Sequence, residues 1–294
     1  TRMGGIAPTP LVGRLTRDGR LDAGFGTGGL VEGDGRVEDL LPQRDGSVWV
    51  VGSIPQLAGS KASGMAELSP DGQRTARNFP ELDSPSVTTA LALPNGQWII
   101  AGRFSQVNGV PRFRMARLNS DLSLDPKFDA SASFEPWQVV DVLALDAQGR
   151  LLAAGASFAA EGGLTNPVPY GLARLLPNGT LDPEFQRVPA WGRTLFVEPD
   201  GSLITGLPLQ RWSPNGRIMT PFLGNLGTGY LGVEPDHRLV RLTDGSFVGP
   251  YDLDGVRLRR WLPEGQVDEL FENPFTEQGF RPRVAAAAAL PDGS

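Results

Sequence analysis

VTTALALPNGQWIIAG (residues 87–102) and RLNSDLSLDPKF (residues 117–128) are the two stretches of sequence that decide the fold. Each stretch places a short polar segment between two runs that contain apolar residues. In the first stretch this segment holds Asn95-Gly96, a pair that favours a tight turn because glycine adopts positive φ without strain. Each stretch therefore predicts one β-hairpin.

Both hairpin patterns recur along the chain and alternate with each other. Further copies of the first are VEDLLPQRDGSVWVVG (37–52), VVDVLALDAQGRLLAAG (139–155), LFVEPDGSLITG (195–206), LGVEPDHRLV (231–240) and VAAAAALPDGS (284–294). Further copies of the second are RLTRDGRLDAGF (14–25), ELSPDGQRTARNF (67–79), RLLPNGTLDPEF (174–185), RWSPNGRIMTPF (211–222) and RWLPEGQVDELF (260–271). Two successive hairpins form a four-stranded sheet, which is one propeller blade.

The repeats predict an all-β, six-bladed β-propeller with four-stranded blades, in a single domain that covers residues 1–294. The predicted blades are approximately 37–80, 87–129, 139–187, 192–223, 228–272, and 284–294 together with 1–30. In the last, composite blade, the C-terminal segment supplies the innermost strand and the N-terminal segment supplies the outer strands. This splice closes the ring and removes the exposed sheet edges that an open ring would have.

The turn of each first hairpin is centred on one residue. The predicted turn residues are Gly46, Gly96, Gly149, Gly201, His237 and Gly293. In the fifth repeat Gly245 is a rival to His237, because TDGSFVGPYDLDGV (243–256) reads as an extra hairpin or a long loop.

Composition excludes several classes of function. The net charge is −6 and no basic run occurs, so no nucleic-acid partner is expected. The chain has no cysteine, which excludes thiol catalysis, disulfides and cysteine-bound zinc. No apolar stretch is long enough to span a membrane. No catalytic residue, metal or cofactor is predicted.

Charged pairs and aromatic residues recur within the second hairpins. The pairs Arg14/Asp22, Arg117/Asp125, Arg174/Asp182 and Arg260/Asp268 share one spacing that places the partners across a hairpin. The repeated phenylalanines are Phe25, Phe79, Phe128, Phe185, Phe222 and Phe271. Both sets are interpreted as structural, because one active site needs no fourfold or sixfold copy of a residue.

Three isolated motifs suggest chemistry, and each has a simpler interpretation. His237 is the single histidine and is interpreted as an exposed turn residue rather than a catalytic base. Asp252 and Asp254 in YDLDG resemble the start of a calcium loop, but the rest of that pattern is missing. GFGTGG (24–29) resembles a phosphate loop, but no helical pattern follows it, so it is interpreted as a connection between blades.

A ligand site is expected where the loops ahead of the innermost strands meet around the axis. The residues predicted to line this axial mouth are Arg36, Trp137, Gln138, Trp191, Arg193, Tyr230 and Arg283. Arginines and aromatic rings around one opening suit an acidic or sugar-like ligand. The alternative is that these are ordinary loop residues.

The stretches AGRFSQVNGVPRFRMARLNSDLSLDPKFD (101–129) and ASFAAEGGLTNPVPYGLARLLPNGTLDPEF (156–185) resemble the delta-60 repeat. This propeller repeat is found in bacterial, often surface-associated proteins. The resemblance implies the propeller fold and an extracellular or cell-surface location. It implies no catalytic residues.

Two classes of function follow as hypotheses. The first is a non-enzymatic exported propeller that acts as a binding or assembly scaffold for a protein or glycan partner, as a module of a larger protein or assembly. The alternative is a propeller hydrolase or oxidoreductase with a site at the axial mouth. A cluster of two or three carboxylates that converge at the mouth would favour the enzyme, and scattered arginines and tryptophans without such a cluster would favour the scaffold.

Overall fold

The computed structural model shows an all-β chain, with one short 3-10 helix at Ser131–Ser133 among the residues it describes. The described residues are 9–16, 20–133, 139–156, 170–186, 188–189, 194–206, 210–219, 239–242, 244–250, 258–268 and 270.

Twenty β-strands lie in the described part of the chain. They are β1 (Thr9–Gly13), β2 (Leu30–Pro42), β3 (Val48–Leu57), β4 (Ser60–Lys61), β5 (Met65–Leu68), β6 (Val87–Ala92), β7 (Trp98–Gly102), β8 (Gln106–Val107), β9 (Val110–Pro111), β10 (Met115–Leu118), β11 (Val139–Leu145), β12 (Leu151–Ala156), β13 (Tyr170–Leu175), β14 (Val188–Pro189), β15 (Leu195–Val197), β16 (Leu203–Thr205), β17 (Gln210–Trp212), β18 (Val240–Arg241), β19 (Phe247–Pro250) and β20 (Leu258–Trp261).

The chain divides into two compact units. The first unit comprises residues 1–143 and 177–180. It contains a sheet of order β1-β2-β3-β4 with β5 paired to β3, a sheet of order β10-β7-β6, and the small hairpin β8-β9. All pairings given for these strands are antiparallel, as hairpins require.

The second unit comprises residues 144–176 and 181–294. Its sheets have the orders β15-β16-β17 and β18-β19-β20. A four-stranded sheet, β11-β12-β13-β14, begins with the strand that contains the boundary between the units. The assignment of residues 1–294 to a single domain stays a prediction.

The outermost strand of the predicted blades is short in every described copy, and only in the third repeat does a further strand, β14, add two residue pairs. Each second hairpin closes with an isolated bridge, such as Leu118↔Leu124 or Leu175↔Leu181. In four of these six copies an aspartate follows the bridge immediately and turns the chain. Asp125 Oδ1, for example, accepts the backbone N–H of Lys127 at 2.9 Å. The strand therefore ends where the aspartate caps the backbone.

The fifth repeat turns at Gly245, so the interpretation of His237 as the repeat's turn residue is wrong. Gly245 has φ +83°, and the N–H of Leu242 donates to the carbonyl of Ser246 at 2.8 Å, which closes the hairpin. Asp244 accepts the N–H of Ser246 at 2.9 Å, as Asp45 and Asp200 do in the turns of two other repeats. FVGP is thus the second strand of the repeat rather than an extra hairpin. His237 itself lies outside the described residues.

The core between the first two repeats is aromatic. Trp49 on β3 stacks on Trp98 of β7 at 3.9 Å between ring centroids, and Phe79 meets the Trp49 ring edge-on at 4.9 Å. Phe25, Phe128 and Phe185 are buried. These findings confirm that the described phenylalanines of the repeat serve as core residues.

The N-terminal strand β1 pairs with the first half of β2, through Thr9↔Gly33 and Gly13↔Leu30. Residues 284–294, the predicted partner of this segment in the composite blade, lie outside the described residues. The number of blades and the closure of the ring stay predictions. Among the described residues no helix is long and apolar enough to cross a membrane.

Candidate functional site

Two first strands of the repeats carry a β-bulge at the same position. Along β2 and β3, Val37 pairs with Gly52 and Asp39 with Val51, so Glu38 is the extra residue. Along β6 and β7, Thr88 is the extra residue in the same way. Bulges re-aim a side chain and interrupt strand pairing, and they are frequent next to active sites.

The glycine opposite each bulge is required by the close approach of the backbone. A Cβ added to Gly52 would lie 2.1 Å from the carbonyl oxygen of Arg36, and one added to Gly102 would lie 2.1 Å from that of Ser86. No side chain fits at these distances. The glycine that ends the second strand in these two repeats therefore leaves the space that the bulged backbone of the first strand occupies.

The bulge position holds polar side chains that the fold buries. Glu38, Thr88 and Asp141 each lie eight residues before the turn glycine of their own repeat. The side chain of Glu38 is 11% exposed, and Thr88 and Asp141 are 4% and 6% exposed. Carboxylates this deeply buried on a strand are uncommon, because burial of a charge costs free energy.

Thr88 shows how this position links one repeat to the next. Its hydroxyl lies 3.1 Å from the carbonyl oxygen of Ala101 in its own repeat. It also bonds to the carbonyl of Val140, which lies on the first strand of the following repeat. In the other two repeats the same position carries a carboxylate, Glu38 or Asp141.

Arginines and hydroxyl groups surround the ends of these strands. Arg36 is 63% exposed, and its Nε lies 3.4 Å from Glu38 Oε1. The hydroxyls of Ser53 and Ser86 lie 3.0 Å apart. Burial lowers the pKa of Arg114, and the positive charge of Arg103 lowers it further, whereas the carboxylate of Asp83 raises it. The guanidinium of Arg36 thus borders the buried carboxylate of Glu38.

Of the residues predicted to line the mouth, Arg36 lies at this rim. The others, namely Trp137, Gln138, Trp191, Arg193, Tyr230 and Arg283, lie outside the described residues. The sequence interpretation missed Glu38, Thr88 and Asp141. The constant spacing of eight residues to the turn glycine was the signal that identified them, and it was visible in the sequence alone.

The remaining motifs give no metal or phosphate site in the described part of the chain. No group of three histidine, aspartate or glutamate residues there is placed to hold a metal ion. Asp252 and Asp254 lie outside the described residues. GFGTGG forms a compact turn, in which Gly29 N–H donates to the carbonyl of Phe25 at 2.9 Å, and strand β2 follows it directly. The interpretation as a connection is confirmed.

Comparisons with known proteins identify the type of fold. The family described as "Domain of unknown function (DUF5122) beta-propeller" matches residues 93–128 and 149–185. This match supports a β-propeller family and does not by itself identify the delta-60 repeat. No curated protein sequence is significantly similar to the chain.

Solved structures of similar fold include enzymes. A luciferin-regenerating enzyme matches at 12% identity and a TM-score of 0.53, over 82% of this chain and 76% of its own. A glucose dehydrogenase matches at 15% identity and a TM-score of 0.50, over 87% of this chain and 90% of its own. The extracellular domain of a two-component system from B. thetaiotaomicron matches at 14% identity and a TM-score of 0.48, over 76% of this chain. The chain spans 26% of the length of that protein.

The expectation of a non-enzymatic scaffold is contradicted by these comparisons. Propeller enzymes share the fold, at identities that are evidence for the fold alone. Among the described residues, Glu38 and Asp141 are buried carboxylates at equivalent positions on two first strands.

Proposed function

We propose that the chain is a β-propeller enzyme, and specifically a hydrolase of esters or lactones of hydroxylated small molecules. The observation that carries the proposal is the burial of Glu38 and Asp141 at equivalent positions of two first strands, with the guanidinium of Arg36 beside Glu38. Burial of acidic groups at repeated positions has a cost in stability that catalysis explains.

The proposed roles follow from the chemistry of the groups. A carboxylate at the bulge position takes a proton from water, and the resulting hydroxide attacks the carbonyl carbon of the substrate. Arg36 stabilises the negative charge that develops on the carbonyl oxygen. The C–O bond to the leaving group then breaks, and the leaving oxygen takes up the proton. The products are a carboxylic acid and an alcohol.

A second candidate is an oxidoreductase that acts on a sugar. The similarity in fold to a glucose dehydrogenase supports this candidate, since the matched region covers most of each of the two chains. The rim of arginines and hydroxyls suits a hydroxylated substrate under either hypothesis.

The finer architecture belongs to the same proposal. In a closed six-bladed ring, the first strands of all repeats surround one axis, and their bulge positions would form one ring of side chains. The alternation of two hairpin types along the whole sequence supports this arrangement. An extracellular or cell-surface location is supported by the resemblance of residues 101–129 and 156–185 to a surface-associated repeat.

Two assays on the purified chain separate the candidates. The first follows acid release from gluconolactone and from aryl esters in weak buffer. The second follows reduction of an artificial electron acceptor by glucose. In the first assay we expect the protein to release acid faster than the spontaneous reaction does. The variant Glu38→Gln should lose about 100-fold or more of that activity.

Glu184→Gln is the matched control, because Glu184 is an exposed glutamate outside the site. Circular dichroism establishes that each variant is folded. Activity in the second assay alone would favour the oxidoreductase. The proposal would be contradicted if the rates in both assays equalled those in buffer without protein. Full activity of the variant Glu38→Gln would also contradict it.

A further inference from the structure

A cavity of about 550 Å³ lies in the first unit, and neither Glu38 nor Thr88 is among the residues that line it. Its walls come from the connection and strand at residues 26–34, the turn at residues 56–59, and the tip of the second hairpin at residues 72–73. A volume of this size accommodates a small organic molecule. It is far larger than a single metal ion needs.

Part of the wall is bare backbone that the fold fixes in place. A Cβ on Gly72 would lie 2.5 Å from the backbone nitrogen of Gly26, and one on Gly26 would lie 2.2 Å from the carbonyl oxygen of Leu30. The Gly26 N–H donates to the carbonyl of Asp71 at 2.7 Å. These contacts join the hairpin tip to the connection, so this side of the cavity is held rigidly.

The polar side chains that line the cavity belong to Thr27 and to two acidic and two amide residues. Glu32 and Asp34 alternate along β2 and therefore share one face of the strand, and Gln56 and Gln73 lie in the opposite walls. Among the described residues, none of these four side chains has a hydrogen bond or an ion pair. No lysine, arginine, histidine or aromatic residue lines the cavity.

This lining selects for charge. Two carboxylates without a counter-ion repel an anion and attract a cation, and carboxylates accept hydrogen bonds but cannot donate them. The two amides add donors and acceptors for hydroxyl groups. The absence of an aromatic platform removes the stacking that would hold a neutral ring.

We infer that this cavity is a binding site for a small hydroxylated amine, of the size and chemistry of an amino sugar. The ammonium group lies against Glu32 and Asp34, and the hydroxyl groups bond to Gln56 and Gln73. The site is separate from the carboxylates of the proposed active site, and it does not depend on the proposed function.

Calorimetric titration at mildly acidic pH tests the inference with three related probes. They are glucosamine, which is cationic there, glucose, which is neutral, and glucuronate, which is anionic. We expect glucosamine to bind most tightly and glucuronate not to bind. Added salt should weaken the binding of glucosamine, because exposed charges are screened.

Variants locate the site. The double variant Glu32→Gln/Asp34→Asn should bind glucosamine about tenfold more weakly, since it removes both charge-assisted bonds. Gln73→Trp, at an exposed turn residue, should remove binding by filling the cavity. Glu264→Gln, an exposed glutamate elsewhere, and Glu38→Gln should bind normally.

Three results would overturn the inference. They are the absence of saturable glucosamine binding to the wild-type chain, equal binding of glucuronate, and normal binding by Gln73→Trp. A folded Glu38→Gln variant that loses activity and keeps glucosamine binding shows that the two sites are distinct. Should the double variant fail to fold, Gln73→Trp decides alone.

Discussion

At the scale of single residues, the recurring arginine of the second hairpin makes three kinds of contact. Arg117 Nε donates to Asp125 at 2.9 Å, and its Nη1 donates to the carbonyl of Pro177 in the next repeat at 2.8 Å. The guanidinium also lies 5.0 Å from the centre of the Phe128 ring. The sequence pattern predicted a modest cross-strand pair, whereas the structure shows a link between repeats.

Two other copies of the arginine make the same three contacts. Arg14 bonds to Asp22 and to the carbonyl of Pro70, and Arg174 bonds to Asp182 and to the carbonyl of Pro214. Both also lie over the phenylalanine of their own repeat. The side chain of Arg174 is fully buried, that of Arg117 is 15% exposed, and that of Arg14 is 40% exposed.

Replacement of these arginines by methionine should destabilise the protein in the order of their burial. Arg174→Met leaves the carboxylate of Asp182 buried without its partner and should cost about 3–5 kcal/mol of unfolding free energy. Arg14→Met removes a solvent-screened pair and should cost about 1 kcal/mol or less. Arg117→Met should lie between them. Urea denaturation measures all three.

Arg44→Met provides the control, because Arg44 is exposed in a turn. Equal losses for Arg14 and Arg174, or a loss for Arg44 as large as that for Arg174, would show that the contacts do not determine stability.

Residue spacing predicts only the local part of this arrangement. Arg117 and Asp125 stand eight positions apart in one hairpin, so their pairing follows from the turn between them. The contact with Pro177 joins residues 60 positions apart, and nothing in the local pattern encodes it. Where the aspartate is missing, the arginine takes another partner: Arg211 bonds to Asp200 of the preceding hairpin at 2.9 Å.

At the scale of strands and turns, the glycine opposite the bulge is more constrained than a turn glycine. Gly102→Ala should destabilise the protein by about 1–3 kcal/mol, because its Cβ would overlap the backbone of Ser86. It should also displace the first strand at Thr88. Gly109→Ala is the control: Gly109 has φ +75° but open space around it, so its cost is about 1 kcal/mol of backbone strain.

Chemical denaturation gives both values, and the amide exchange rate of Thr88 reports the displacement of the strand. Equal exchange of Thr88 in wild type and in Gly102→Ala would show that the bulge does not depend on this glycine.

The hairpins were predictable from the sequence because their turns are local. Asp-Gly and Asn-Gly pairs mark most of the described turns, and the exceptions are Gln148-Gly149, Asp121-Leu122 and Glu264-Gly265. In the fifth repeat His237 and Gly245 were rival candidates, and the chain turns at Gly245. The outermost strand was overestimated, because apolar residues such as Leu124 make one bridge and the aspartate after them then ends the strand. The bulges were not predicted, since a bulge depends on how two strands align.

At the scale of the whole molecule, the buried ion pairs make stability depend on pH. Burial would raise the pKa of Asp125, but bonds from the N–H of Lys127 and the side chains of Arg117 and Gln97 outweigh it and hold the pKa below its usual value. For Asp182, burial is likewise outweighed by the N–H of Glu184 and by Arg174, so its pKa is also lowered.

A carboxylate with a lowered pKa in the folded state stabilises that state at pH values above its unfolded pKa, which is about 4. This contribution should be constant between neutral pH and about pH 5, and should be lost as the pH falls below about 4 toward the folded pKa. Urea midpoints measured across this range test it.

The variant Asp125→Asn/Asp182→Asn should be less stable than wild type at neutral pH. Its unfolding free energy should also fall less than that of wild type as the pH is lowered. If the unfolding free energy of the variant fell with pH as steeply as that of wild type, groups other than Asp125 and Asp182 would be responsible for the loss of stability.

Under the proposed function, the carboxylates of Glu38 and Asp141, at equivalent positions of two first strands, carry an enzymatic activity. The most direct test compares kcat/KM for lactone hydrolysis in Asp141→Asn, in Glu38→Gln, in both together, and in the control Glu184→Gln. We expect each single variant to lose about 100-fold or more, and the double variant to lose little beyond the larger single loss, as groups that act in one step do. Wild-type values in folded Asp141→Asn and Glu38→Gln would contradict the claim.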